Sequence, residues 1–383
     1  MKVAIVHDDL MRMGGAEKVA LTFLKAFPEA DFYTLCYKPD LTYEEFGNYK
    51  INTTWFQKFA FNEASMKMLF YPMGIWAMKS LNFEKYDLVL ISTTFCAKYL
   101  RLPAKTILIT YCHTPFRLAW YPETYQAIRT NLLIRFLMFR LVCPRLRVVD
   151  KKYALRTDYF IANSKVTLDR IQQVYSRNIP VSILNPPVDL SKFQKENSRK
   201  DYYLVVSRFQ PYKKIDLVIE VFNHLKDKRL IIVGTGVLEK ELQKMAVASN
   251  IEFKGSVSGK ELAHLYANCK ALIFPQVEDF GITPLEANAS GRPVIAFGGG
   301  GVLETMIGYK DKQTPFTALF FENQTFASLS KAILFFEEIE NEVDSDFIVE
   351  NAQRFKESNF IATINERVLE QYKILSSRKT NDS

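Results

Sequence analysis

Twice along this 383-residue chain, short unbroken apolar runs alternate with segments whose apolar residues recur about every 3.6 positions. In the first half the runs are KVAIVHD (2–8), DLVLIST (87–93), TILITYCH (106–113) and YFIANS (159–164). In the second they are DYYLVVSR (201–208), RLIIVGTG (229–236), IEFKG (251–255), ALIFPQ (271–276) and PVIAFGG (293–299). A strand that is apolar throughout must be covered on both faces, which is the condition of a parallel sheet lying between helices. Parallel neighbours need crossover helices, and stretches such as VALTFLKAF (19–27), IDLVIEVFNHL (215–225) and ELAHLYANC (261–269) supply them. The pattern predicts an α/β protein with two doubly wound Rossmann-like domains, and the length exceeds what one core ordinarily serves. The junction is expected in the polar stretch Ser191–Lys200, after the stiff Asn185-Pro186-Pro187. Ligands in such sheets bind beyond the carboxyl ends of the strands, so the expected site is a cleft between the two domains.

Every chemistry-bearing motif falls at such a strand end. Glu278 and Glu286 flank Phe280-Gly281-Ile282, with a helix expected to begin near Thr283 or Pro284. Proline in a first turn costs no hydrogen bond, and the free N–H groups there attract anions. A phosphate at that helix mouth would have a carboxylate on each side, suited to sugar and ribose hydroxyls, which describes a nucleotide-sugar pocket. Arg208 ends a strand and Lys213 follows it, a fork and a point charge that could neutralise a diphosphate; a solvated basic turn is the plainer account. His113 stands between a buried strand and Pro115, placed to meet a sugar hydroxyl. His7, also at a strand end, reads as structural. Gly14-Gly15 permits close approach of an anion, or simply makes a tight turn. Gly234-Thr235-Gly236 lacks the third glycine of a dinucleotide fingerprint, and Gly298–Gly301 is either a donor-contacting loop or a linker. Asp344-Ser345-Asp346 lies away from any strand end and reads as a solvated face, so no metal is expected.

The net charge of +8 matters only where it clusters. Between Gln126 and Lys152 there are seven basic residues (Arg129, Arg135, Arg140, Arg145, Arg147, Lys151, Lys152) against one acid, Asp150. With Leu, Phe, Ile and Met in the gaps, this segment suits a helix lying on an anionic membrane; a core helix with snorkelling arginines is the alternative. Residues 55–79 add aromatics and lysines. Five cysteines without framework spacing read as reduced, buried thiols of a cytosolic protein. The amino terminus reads as a strand rather than a signal peptide, and no window is long enough to span a bilayer.

Gly14-Gly15-Ala16-Glu17-Lys18, Tyr111-Cys112-His113-Thr114-Pro115, Asn185-Pro186-Pro187-Val188-Asp189, Ser207-Arg208 through Lys213, and the Glu278/Glu286 motif together resemble the family-4 retaining glycosyltransferases of GT-B fold. The similarity spans nearly the whole chain and points within that family to the bacterial mannosyltransferases of O-antigen, capsule or exopolysaccharide synthesis. It implies an acceptor-side domain over 1–197, completed by a C-terminal helix (358–383) that crosses back, and a donor-binding domain over 198–357. By the same resemblance, His113, Glu278, Arg208 and Lys213 serve catalysis. Gly14, Gly15, Arg208, Lys213, Phe280, Gly281, Ile282 and Glu286 hold the donor, with Glu286 on the ribose and Glu278 on the sugar. It further implies a nucleotide diphosphate sugar, GDP-mannose by preference, a polyprenyl-diphosphate-linked saccharide acceptor, no metal or other cofactor, and a position on the inner face of the cell membrane.

The residues leave rivals standing. A UDP-sugar donor, a nucleotide-sugar epimerase of the same architecture, a glycoside hydrolase using the two carboxylates, and a non-catalytic binder each remain. Nucleic acid is not an expected partner.

Overall fold

The computed structural model describes residues 1–61, 73–122, 131–196 and 200–381. Their contacts divide the chain into two compact units, Met1–Pro187 with Glu357–Ser383, and Val188–Lys356. The junction expected at 197–198 lies outside the described residues. The division falls earlier because Val188 already pairs with the second unit, its N–H donating to Phe355 O at 2.9 Å, while Leu190 packs in that unit's core.

The first unit is a seven-stranded sheet in the order β3-β2-β1-β4-β5-β6-β7. Its strands are β1 Val3–His7, β2 Asp31–Thr34, β3 Ile51–Thr53, β4 Leu88–Thr93, β5 Ile107–Cys112, β6 Tyr159–Ala162 and β7 Val181–Ile183. Every pairing is parallel. β1, β4 and β5 are buried from end to end, as their unbroken apolar runs require. The sequence reading omitted β2, β3 and β7. All are three or four residues long, half-buried and toward the sheet edges, where the apolar signal is thinnest.

The second unit holds six parallel strands in the order β10-β9-β8-β11-β12-β13: β8 Tyr203–Val206, β9 Leu230–Val233, β10 Ile251–Gly255, β11 Leu272–Phe274, β12 Val294–Phe297 and β13 Ala318–Phe321. In both sheets the chain runs outward to one side and then restarts on the other. The topological switch points are therefore β1/β4 and β8/β11.

The C-terminal helix Glu357–Asn381 belongs to the first unit. Phe360, Ile364 and Val368 enter its core, and the Phe360 ring stacks on Phe23 at 6.0 Å and meets Tyr111 edge-on at 5.9 Å. The helix runs on to Asn381, held there by Lys379 Nζ, which donates to Thr106 O and to Asp158 Oδ2, both at 2.9 Å.

Candidate functional site

In the second unit, the loops beyond β8, β11 and β12 carry the residues singled out from sequence. The helix Ile282–Ala289 is capped by Gly281 at φ 90°, a left-handed conformation that side chains resist. Glu278 lies on the approach loop, and that loop is tied to the glycine-rich turn after β12: Gly301 N donates to Glu278 O at 2.8 Å. The turn is therefore a brace for Glu278 rather than a linker. Lys213, almost wholly buried, forms an ion pair with Glu278 Oε1, which also accepts from Gln276 Nε2 at 3.2 Å. Its ammonium also lies 5.2 Å from the Tyr212 ring centre. Lys213 is thus held at the strand ends by a carboxylate, a cation that an incoming anion can share.

Glu286 projects from the second turn of its helix. Tyr266 donates to Glu286 Oε2 at 2.8 Å, pinning one oxygen. Burial raises the Glu286 pKa, and the Tyr266 bond opposes that rise. Both Glu286 and Glu278 press on the phenol of Tyr266, so the two carboxylates share one neighbourhood. Arg208 is exposed and forms no ion pair among the described residues. Phe280 turns inward, its ring edge-on to Phe355 at 5.8 Å, so only its backbone is available to a ligand. Ile282 is exposed at the helix start. The glycines of Gly234-Thr235-Gly236 serve packing: side chains there would collide with the backbone of Ser207 and Phe209, on either side of Arg208.

In the first unit, the mouth of the β1/β4 switch point is lined by buried polar groups. Asp8 accepts amide hydrogens from Thr94, Phe95 (3.1 Å), Cys96 (2.8 Å) and Ala97 (2.7 Å), and hydroxyls from Thr93 and Thr94 (both 2.8 Å). Burial alone would raise its pKa; the His7 charge and these bonds outweigh that and hold it below the usual value. The neighbouring Asp9 is pushed up to about 6 by burial, although Arg12 clamps both its oxygens at 2.6–2.7 Å. His113 lies directly after β5, its Nε2 2.9 Å from Ser92 Oγ, and burial drives its pKa down to about 4. Gly14 and Gly15 stand at the start of the helix Gly15–Ala26, which has no side-chain cap.

His113, Lys213 and Glu278 thus take up polar positions beyond strand ends, and Glu286 one on the helix that follows β11. Sequence reasoning set His7 aside, and it passed over Ser92, Gln276 and Tyr266 altogether. None of these stands in a motif; only the register of neighbouring strands or a helix face reveals them. Asp344 is the N-cap of the helix Ser345–Gln353, accepting from Asp346 N and Phe347 N at 3.0 Å, and Asp346 pairs with Lys195 at 2.7 Å.

Two parallel-sheet Rossmann-like units, each with polar groups at its switch point, define a GT-B-class α/β protein. Residues 13–192 match the family model described as Glycosyltransferase Family 4, and residues 189–357 that described as Glycosyl transferases group 1. The chain belongs to the family-4 glycosyltransferases, and it is a glycosyltransferase. It is similar to the alpha-1,3/1,6-mannosyltransferase ALG2 of Saccharomyces cerevisiae, 25% identical over 375 residues covering 80% of this chain and 71% of that one. The O-antigen chain mannosyltransferase RfbU of Salmonella typhimurium is 28% identical over 183 residues, 46% of this chain and 48% of RfbU. The crystal structure of Anabaena HepE in complex with UDP shares the fold, with a TM-score of 0.66 and 17% identity across 97% of this chain and 100% of HepE.

Proposed function

We propose that this glycosyltransferase moves mannose from GDP-mannose to a lipid-linked saccharide, with retention of configuration and without a metal ion. The observation that carries the reading is the Lys213–Glu278 pair beside Glu286, at the carboxyl ends of β8 and β11. Relatives named as mannosyltransferases support the sugar. On this reading the donor pyrophosphate takes up Lys213 and Arg208 together with the N–H groups at the start of the helix Ile282–Ala289, and Glu286 accepts from the ribose hydroxyls. Glu278 binds the transferring sugar, and His113 is assigned to a sugar hydroxyl. As the glycosidic bond breaks, negative charge grows on the leaving diphosphate, and the cations stabilise it more in the transition state than in the ground state. The departing phosphate oxygen takes the acceptor proton on the same face, which leaves no general base to be found among the side chains.

A UDP-sugar is the second reading, prompted by the UDP in the HepE complex. A thermal-shift panel of GDP-, UDP-, ADP- and dTDP-sugars separates them, followed by turnover of the best binder with lipid-linked acceptors in the presence of EDTA. GDP-mannose is expected to stabilise the protein and to be consumed only with acceptor. Consumption without acceptor would instead indicate an epimerase or a hydrolase, and turnover of a UDP-sugar alone would overturn the donor. Lys213→Ala is expected to lower kcat about a hundredfold or more with little change in melting temperature; an unchanged rate removes the diphosphate role.

We further propose that the enzyme works at the inner face of the cell membrane. The stretch Leu132–Leu141 supports this: Leu132, Leu133, Phe136, Leu137, Phe139 and Leu141 are all exposed there, beside exposed Arg135 and Arg140.

A further inference from the structure

We propose that Ser92 and His7 are positioning residues: they hold His113 as the tautomer with its proton on Nδ1, leaving that N–H to donate to a hydroxyl of the bound sugar. The sugar contact rests on the function proposed above; the tautomer does not.

The sheet register brings the three side chains together. His7 lies opposite Ser92 across β1 and β4, and Ser92 lies opposite Tyr111 across β4 and β5. Two residues beyond Tyr111, on the same face, comes His113. His7 Nδ1 is 3.0 Å from Ser92 O and 3.1 Å from Ser92 Oγ, and Ser92 Oγ is 2.9 Å from His113 Nε2. All three residues are buried, so each hydrogen must find an acceptor.

The protons can be placed by elimination. Ser92 O can only accept, so the hydrogen is on His7 Nδ1. That N–H is shared with Ser92 Oγ, which then turns its own O–H elsewhere, and His113 Nε2 is the acceptor within reach. Were Nε2 protonated, Ser92 Oγ would receive two donors while its own hydrogen stayed buried without a partner. His113 Nε2 is therefore the acceptor, and the ring proton is on Nδ1. Among the described residues Nδ1 has no hydrogen-bond partner, and it is not fully enclosed.

At the far end, His7 Nε2 is enclosed without a hydrogen bond, and Glu17 Oε1 stands 4.0 Å away. A bare nitrogen facing a carboxylate would be repelled, whereas a protonated one is attracted. His7 is accordingly an imidazolium paired with Glu17, which polarises the chain from Glu17 through His7 and Ser92 to His113. Glu17 Oε1 is also ion-paired with Arg12, whose Nε lies 3.2 Å away, and Arg12 is clamped on Asp9. Gly14 has its reason here. A Cβ at that position would lie 2.5 Å from Glu17 Oε2, so the glycine gives the carboxylate room.

The test is nitrogen NMR of the full chain labelled with ¹⁵N-histidine, in which only four histidines report; H7Q and H113Q assign two of them. The expected wild-type spectrum shows His113 neutral, with Nδ1 protonated and Nε2 bare, and His7 protonated on both nitrogens. S92A is expected to abolish the tautomer preference of His113, and S92T to keep it. In the transfer assay S92A is expected to lower kcat about ten- to hundredfold at nearly unchanged donor KM, with S92T recovering most of the rate. Wild-type His113 carrying its proton on Nε2, or an S92A spectrum identical to wild type, overturns the tautomer assignment whatever the substrate proves to be. An altered S92A tautomer with unaltered kcat overturns the positioning role. Absence of transfer with every donor tried strikes the proposed function and leaves the NMR result standing.

Discussion

His113 illustrates how surroundings set the chemistry of a single side chain. Burial holds its pKa at about 4 against the ordinary 6.5, and the charge on His7 pushes the same way. A base depressed in the folded state binds fewer protons there than in the unfolded chain between those two values. Its contribution to stability is therefore complete above pH 6.5 and is lost as pH falls toward 4. At 1.36 kcal/mol per pH unit the loss amounts to roughly 3 kcal/mol. Asp9 works in the opposite sense: its pKa, raised from 3.8 to about 6, makes the folded state bind the extra proton, so stability falls as pH rises across that interval. The two slopes overlap and oppose, which predicts a flat wild-type profile from these groups. H113Q removes one of them. Denaturation series at pH 7 and pH 4 are expected to show H113Q gaining roughly 3 kcal/mol on the wild type over that interval; parallel profiles would mean that His113 titrates normally.

Among the elements, the helix Cys143–Ala154 depends on the one acid of the basic segment. Asp150 is fully buried and ion-paired to buried Lys98 at 2.8 Å. It also accepts from Tyr99 (3.1 Å), Trp120 Nε1 (2.8 Å) and Tyr175 (2.7 Å). This node fastens one face of the helix to the loop after β4, to Trp120 and to Tyr175, and leaves Arg145, Lys151 and Lys152 facing outward. Arg147 departs from the membrane-facing expectation, because its Nε donates to Ala119 O at 2.7 Å and its guanidinium lies over Trp120. Arg129 lies outside the described residues, as does 62–72 of the aromatic stretch upstream. D150N leaves the Lys98 charge buried without a counter-charge, and a loss of about 3–5 kcal/mol is expected from urea denaturation. K98M/D150N, which removes both charges, is expected to regain part of that loss; equal losses would show that the hydrogen bonds rather than the charge carry the node.

At the scale of the whole molecule, the exposed Arg135, Arg140 and Arg145 and a band of exposed apolar residues meet in one region of the first unit. No helix among the described residues is long and apolar enough to cross a membrane. Each basic residue near an anionic surface contributes on the order of 1 kcal/mol. R135Q/R140Q/R145Q is therefore expected to weaken partition onto anionic vesicles by about 3 kcal/mol, a factor of roughly 150, while binding to neutral vesicles and the melting temperature stay the same. Unchanged flotation with anionic vesicles would remove this segment from membrane binding.

The two parallel sheets, their crossover helices and the Glu278/Glu286, Lys213 and His113 positions were legible in the chain, because burial on both faces and helix starts leave local marks: unbroken apolar runs, Pro284 and glycines at strand ends. A contact between residues far apart in the chain leaves none. The tie of Tyr266 to Glu286, the Lys98–Asp150 node and the line from Glu17 through His7 and Ser92 to His113 join residues brought together by strand register and helix packing. His7 could not be told from a core histidine until Ser92 was found opposite it, 85 positions away. Which side chains meet is fixed by the folded geometry, since register and packing are properties of pairs of elements and no single stretch of sequence contains them.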